Sequence, residues 1–215
     1  MEAYKRDFLK LAMDCGALKF GEFELKSGRI SPYFFNLGAI SSGKALLHLA
    51  RCYAQALTRS GLAPDGLFGP AYKGIPLVTA VACALAEKGQ DLPITYNRKE
   101  AKDHGEGGHL VGAELRGRIV VIDDVITAGT AVREAIGIIE QAGARPAGLL
   151  VALDRQEKAE GEQSAIQALA EQTGVATLSI CGLDDVMDFM RSELEFAAEL
   201  RAMEAYRAEY GVHAA

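Results

Sequence analysis

At 215 residues the chain is long enough for one α/β domain with additions and can bury a sizeable core. Hydrophobic residues make up 49% and Trp is absent, an ordinary globular balance. A net charge of −6 argues against a general binder of nucleic acid or membrane surfaces, so any anionic ligand must be met by a local cluster of donors. The longest apolar run, Ile75 to Ala86, is too short to span a bilayer, and Met1 to Lys10 carries too many charges to read as a signal peptide. Cys15, Cys52, Cys83 and Cys181 are scattered without a Cys-x-x-Cys pair, which fits reduced thiols in a cytoplasm and gives no reason to infer a metal site.

Tyr4 to Cys15 sets Phe8, Leu11 and Ala12 at helical spacing, with Gly16 as the stop. From Phe20 to Asn36, Ser27-Gly28 and Ser31-Pro32 break the chain into brief strands outside the βαβ rhythm of the rest. This predicts a small hood over the sheet, spanning about residues 18–37. Lys26 lies in its turn, where a solvated lysine is the default. Phe34 and Phe35 are adjacent, so a strand sends their rings to opposite faces and at most one can stack on a ligand. Gly38-Ala-Ile-Ser-Ser-Gly-Lys44 matches a nucleotide-binding phosphate loop except at its last position, where Ala45 replaces the hydroxyl that would hold magnesium. It is better read as a loop and N-cap before a helix over Ala45 to Ser60.

Gly66 to Gly69 is a short strand, and Pro70 to Pro76 turns from it into an apolar helix, Leu77 to Ala86. Lys73 therefore stands at a strand's C-terminal end, where open α/β sheets bind ligands. Pro93 to Asn97 is another strand. After it, residues 98–109 gather Arg98, Lys99, Lys102 and His104 among Gly105, Gly107 and Gly108, the pattern of a mobile lid with charge to deliver. His48 and His109 read as structural or surface residues.

The organising stretch is Ile119 to Ala131. Four β-branched residues suit a strand buried on both faces, Asp123 and Asp124 follow where it leaves the sheet, and small or hydroxylated residues lead into a helix from Thr130 to Gln141. A turn of this kind ending at a helix N-terminus gathers backbone N–H groups into an anion site. Carboxylates beside a phosphate cradle suit a sugar phosphate, whose hydroxyls need acceptors. Ala147 to Leu153 is the next strand, and Arg155 follows on the same rim, able to pair with a neighbouring carboxylate or with one on a substrate. Ser164 to Thr173, Thr177 to Cys181 and helices to about Tyr210 continue the alternation. Asp184 and Asp185 also follow a strand-like run, but without a Thr-x-Gly-Thr sequence they read as helix caps only.

The run of two acids, a hydrophobic pair and Thr-x-Gly-Thr resembles the ribose 5-phosphate signature of the type I phosphoribosyltransferases. The resemblance extends, without departure, to motifs of the family's bacterial orotate-using members: Glu24-Leu-Lys-Ser-Gly28, Tyr33-Phe-Phe-Asn36, Gly69-Pro-Ala-Tyr-Lys-Gly74, Arg98 to Gly107, and Leu153-Asp-Arg-Gln-Glu157. It implies one domain over residues 1–215, with a mostly parallel central sheet flanked by helices and an N-terminal hood. The implied reaction is transfer of 5-phosphoribose from phosphoribosyl pyrophosphate to orotate in pyrimidine biosynthesis. Mg²⁺ would be carried by the pyrophosphate, with no direct protein ligands expected.

By the same resemblance, Asp123 and Asp124 hold the ribose hydroxyls, and Val125, Ile126, Thr127, Ala128, Gly129, Thr130 and Ala131 cradle the 5-phosphate. Lys73, Arg98, Lys99, Lys102 and His104 offset pyrophosphate charge, while Lys26 and Tyr72 contribute to phosphoribosyl pyrophosphate binding. Phe34, Phe35, Thr127 and Arg155 would hold orotate. A homodimer is expected, with Lys99, Lys102 and His104 acting in the neighbouring subunit's site. The alternatives are transfer to another nucleobase, which would not need Arg155, or a phosphoribosyl pyrophosphate sensor, which should show a basic face or an added nucleic-acid-binding domain.

Overall fold

The computed structural model describes residues 1–25, 28–102, 108–126, 129–159 and 161–212, the side chains of residues 100–102, 108 and 194 excepted. Helix α1, Ala3–Asp14, leads to β1, Leu18–Glu24, and β2, Ile30–Phe35, which pair with each other as a two-stranded antiparallel sheet. This is the expected hood. Gly16 ends α1 at φ 67, its N–H reaching Met13 O at 2.9 Å while the Ala17 N–H reaches Ala12 O at 2.7 Å, a left-handed cap that glycine adopts without strain.

The alternation then runs α2 (Gly43–Arg59), β3 (Gly66–Gly69), α3 (Gly74–Ala86), β4 (Ile94–Lys102), β5 (Gly108–Gly112), β6 (Arg118–Ile122), α4 (Thr130–Gln141), β7 (Arg145–Asp154), α5 (Ala165–Thr173), β8 (Ala176–Gly182), α6 (Leu183–Ser192) and α7 (Ala197–Tyr210). The strands β3 to β8 form a sheet in the order β5-β4-β3-β6-β7-β8, parallel throughout except for the antiparallel β4–β5 pair. Ser42 caps α2 by accepting the Ala45 N–H at 3.3 Å, so the loop that mimics a nucleotide-binding motif does the work of a helix start.

Strand pleating divides the core. Val120 and Ile122 of β6 face one side with Phe8, Leu49, Val78, Val186 and Met203 from α1, α2, α3, α6 and α7. Ile119 and Val121 face the other with Ile136, Ile139 and Leu169 from α4 and α5. Burying each such side chain contributes about 1.5–3 kcal/mol, which explains why β6 is apolar on both faces and sits in the middle of the sheet.

Several boundaries shift by one to three residues from the sequence reading, α3 starting at Gly74 rather than Leu77 and α2 at Gly43 rather than Ala45, and one differs by more. Where a single loop was expected over 98–109, β4 runs on to Lys102 and β5 starts at Gly108, with a register shift between Asn97 and Lys102. An edge ribbon tolerates charged residues because one side stays in water, so charge density there does not exclude strand. Residues 103–107, the centre of the expected lid, lie outside the described residues.

Candidate active site

β3 and β6 are sheet neighbours, but the chain continues from β3 to β4 on one side and from β6 to β7 on the other. The crevice above their C-terminal ends is the sheet's topological switch point. Two loops meet there. The loop after β3 is tight because a side chain on Gly69 would overlap the Gly74 carbonyl oxygen and fall 2.5 Å from a Val78 methyl, while one on Gly74 would fall 2.6 Å from Pro70 Cδ. The Asn97 side-chain oxygen braces this loop, accepting the Ala71 N–H at 2.8 Å.

That turn carries Lys73 to the acid pair, with Nζ 2.6 Å from Asp124 Oδ2. The other Asp124 oxygen accepts the Val125 N–H at 2.7 Å, and Asp123 Oδ1 accepts the Asp124 N–H at 2.9 Å. Beneath them the Tyr53 hydroxyl donates to the Asp123 carbonyl at 2.7 Å. Both carboxylates are buried. Burial is the main reason the Asp123 carboxyl is raised from the usual 3.8 to about 6; the Asp124 N–H bond opposes the shift, the Asp124 charge adds to it and the Lys73 charge opposes it. A poorly solvated carboxylate beside a solvent-reaching ammonium gives the crevice both an acceptor for hydroxyls and a donor for phosphate oxygens.

After Asp124 the chain turns into α4 through Gly129, which is left-handed at φ 70. Thr130 and Ala131, exposed at the helix start, lie where backbone N–H groups are unpaired by the helix itself. The Ile126 side chain is buried in the core beside α4, so only its main chain can serve a ligand. Tyr72 is 66% exposed, and Lys99 Nζ stands 5.2 Å from its ring centroid. Arg98 shares an open cavity beside α4 with Lys99 and His109.

On the same rim, beyond β7, Arg155 Nη2 donates to Glu157 Oε1 at 2.9 Å. Its guanidinium lies 4.6 Å from the Tyr33 ring centroid, and the Tyr33 hydroxyl donates to that same Glu157 oxygen at 2.6 Å. The neighbouring-carboxylate pairing open in the sequence is thus present here. The phenylalanines divide as strand geometry requires: Phe34 is 39% exposed, whereas Phe35 is buried against Phe8, with ring centroids 6.2 Å apart. Lys26, Thr127, Ala128 and His104 and the Lys102 side chain lie outside the described residues. Sequence reasoning gave no role to Tyr53 or Asn97. Tyr33 and Glu157 stood inside recognised motifs without a role, and only their meeting in space provides one.

A doubly wound sheet that brings an acid pair, a helix start and Lys73 together at its switch point presents the acceptors and donors that a sugar phosphate needs. The profile of the phosphoribosyl transferase domain matches residues 36–173. The orotate phosphoribosyltransferase of Thioalkalivibrio sulfidiphilus is 57% identical over 213 residues, spanning 99% of this chain and 100% of that one. The enzyme of that name from Pseudomonas aeruginosa PAO1 has the same identity and coverage. The crystal structure of Francisella tularensis orotate phosphoribosyltransferase, 39% identical, superposes with a TM-score of 0.87 over 95% of this chain and 99% of that one. The chain belongs to the orotate phosphoribosyltransferases, a branch of the phosphoribosyl transferase family.

Proposed function

We propose that the chain transfers 5-phosphoribose from phosphoribosyl pyrophosphate to orotate, forming orotidine 5′-phosphate and pyrophosphate in de novo pyrimidine biosynthesis. The observation that carries this reading is the Lys73–Asp124 contact at the switch point, beside the start of α4 and on the rim that bears Arg155. Breaking the bond from ribose C1 to pyrophosphate leaves positive charge on the sugar and sends the electron pair to the leaving group, while the base nitrogen forms the new bond to C1. Asp123 and Asp124 accept the ribose hydroxyls and place negative charge near the developing cation. Lys73 changes partner, releasing Asp124 to the sugar and turning to the pyrophosphate.

The 5-phosphate is assigned to the backbone and hydroxyls from Val125 to Ala131. Arg98, Lys99, Lys102 and His104 join Lys73 in offsetting leaving-group charge, and Lys26 and Tyr72 complete that subsite. Orotate is assigned to Phe34, Thr127 and the Arg155 guanidinium, with Phe35 bordering it through main chain because its ring is in the core. Asp123 and Asp124 offer oxygen donors, the type a hard cation such as Mg²⁺ takes. Mg²⁺ is assigned to the pyrophosphate, as the family resemblance implies, and would supply charge stabilisation for the leaving group there.

The active unit is proposed to be a homodimer. Lys99 was expected in the neighbour's site with Lys102 and His104, but its contact with Tyr72 of its own chain favours its own site; Lys102 and His104 stay assigned to the neighbour's. The four cysteines are free, which supports a cytoplasmic setting. Loss of orotate absorbance in the presence of phosphoribosyl pyrophosphate and Mg²⁺ tests the reaction. Arg155→Ala should weaken orotate by about 2–5 kcal/mol, roughly thirtyfold or more, with little effect on phosphoribosyl pyrophosphate. Equal loss for both substrates would remove Arg155 from the base site.

A further inference from the structure

Arg155 alone does not explain how a long, rotatable side chain presents a defined edge to a planar substrate. The surrounding geometry does. Glu157 receives two donors on one oxygen, the Arg155 Nη2 at 2.9 Å and the Tyr33 hydroxyl at 2.6 Å, while the Tyr33 ring lies under the guanidinium. Tyr33 is fully buried, and Glu157 is held by the edge of the hood on one side and by the rim on the other. Burial, ahead of the Arg155 and Glu157 charges, pushes the Tyr33 phenol well above its ordinary value, so it remains a donor at neutral pH.

The backbone between the two charged residues is held just as firmly. Gln156 sits at φ 49, a conformation that a non-glycine residue keeps only when its surroundings enforce it and that recurs at ligand clamps. Its N–H donates to Asp154 Oδ1 at 2.9 Å, its side-chain oxygen accepts the Asp184 N–H at 2.8 Å, and its carbonyl accepts the Val212 N–H at 2.8 Å. Lys158 continues the clamp, its N–H reaching Tyr210 O and its carbonyl accepting Arg29 Nη1, both at 2.8 Å. A cavity of about 160 Å³, walled in part by Ile126, Leu153, Asp154 and Arg155, opens beside the fork.

We propose that Glu157 and Tyr33 are positioning residues for the base site, fixing the Arg155 guanidinium so that it selects a planar carboxylate-bearing base. The proposal rests on the reading of Arg155 as the orotate contact. Neither residue touches the reacting atoms; they act by keeping one edge of the fork occupied and the plane of the fork set, which leaves fewer orientations to be lost when the carboxylate binds.

Steady-state kinetics with each substrate varied in turn, on Glu157→Ala, Glu157→Gln, Tyr33→Phe and Arg155→Ala, tests this. Glu157→Ala should raise the KM for orotate about tenfold, the loss expected for a hydrogen bond to a charged group, and Tyr33→Phe should raise it about threefold. Glu157→Gln should recover most of the loss because its amide oxygen still accepts both donors, and the KM for phosphoribosyl pyrophosphate should stay within about twofold in every variant. If Glu157→Ala fails to fold, Tyr33→Phe carries the test, since it removes a single hydroxyl. An orotate-selective loss in Arg155→Ala without one in Glu157→Ala or Tyr33→Phe overturns the positioning role alone. Losses shared equally by both substrates in the Glu157 and Tyr33 variants also overturn it, marking a general effect on the fold. No selectivity in Arg155→Ala itself removes the base reading and this proposal with it.

Discussion

Asp123→Asn should make the protein more stable at pH 7 while cutting its turnover. Asp123 is buried, and its carboxyl is raised from 3.8 to about 6, chiefly by that burial. A raised carboxyl binds its proton more tightly in the folded state than in the unfolded one. Between about pH 4 and pH 6 the folded chain holds a proton that the unfolded chain has lost, so the group's contribution to stability falls as pH rises through that window. At 1.36 kcal/mol per unit, the shift amounts to about 3 kcal/mol of folding free energy spent at neutral pH on keeping a charge in the crevice. Asparagine keeps an oxygen for the Asp124 N–H and carries no charge. The variant should therefore gain roughly 1–3 kcal/mol at pH 7, or about 2–10 °C in Tm, and the gain should disappear below about pH 4. Thermal or urea melts of both proteins at pH 4, 5, 6 and 7, with transfer assays at pH 7, provide the check. A variant less stable than wild type at pH 7, or a difference independent of pH, would refute the burial argument.

Gly69→Ala should destabilise the fold and reduce phosphoribosyl pyrophosphate binding together, because the new methyl would overlap the Gly74 carbonyl and displace the turn that delivers Lys73; a melt and a KM measurement read the two effects. The two acid pairs should separate cleanly. Asp124→Asn removes the carboxylate facing Lys73 and should lower turnover, whereas Asp185→Asn loosens the cap on the Gly182 N–H and the Lys5 ion pair, costing about 1 kcal/mol of stability with turnover nearly intact. Refolding Lys102→Ala together with Asp124→Asn should restore activity to roughly a quarter of wild type if the lid serves the neighbouring subunit, since about half of randomly paired dimers gain one intact site. Recovery no greater than the average of the two variants, with subunit exchange confirmed, would place the lid in its own subunit.

The features legible in the sequence were those governed by local rules. Thr130–Gln141 and Gly66–Gly69 form over the expected residues because a left-handed Gly129 opens the first and close-packing glycines bound the second. The acid pair and Lys73 were legible because strand ends in open α/β sheets point at one crevice. Asp185 was legible as a cap from its place at a helix start, whereas Asp184, read the same way, turns its carboxylate to Arg207 and Gln156 instead. The Tyr33–Glu157–Arg155 cluster was not, since its members are 124 and 122 residues apart from the hood to the rim and no spacing rule links them. Nor was the extent of β4 and β5, because edge strands and solvated loops draw on the same polar residues.

The clamp on Gln156 also constrains how the enzyme can be made. Tyr33 comes early in the chain, and residues 210–212, which bond to Gln156 and Lys158, come near its end. At about 5–20 residues added per second, on the order of ten seconds or more separates their appearance on a ribosome. The Gln156 corner is therefore completed only when the last helix docks, after every strand of the sheet has been synthesised.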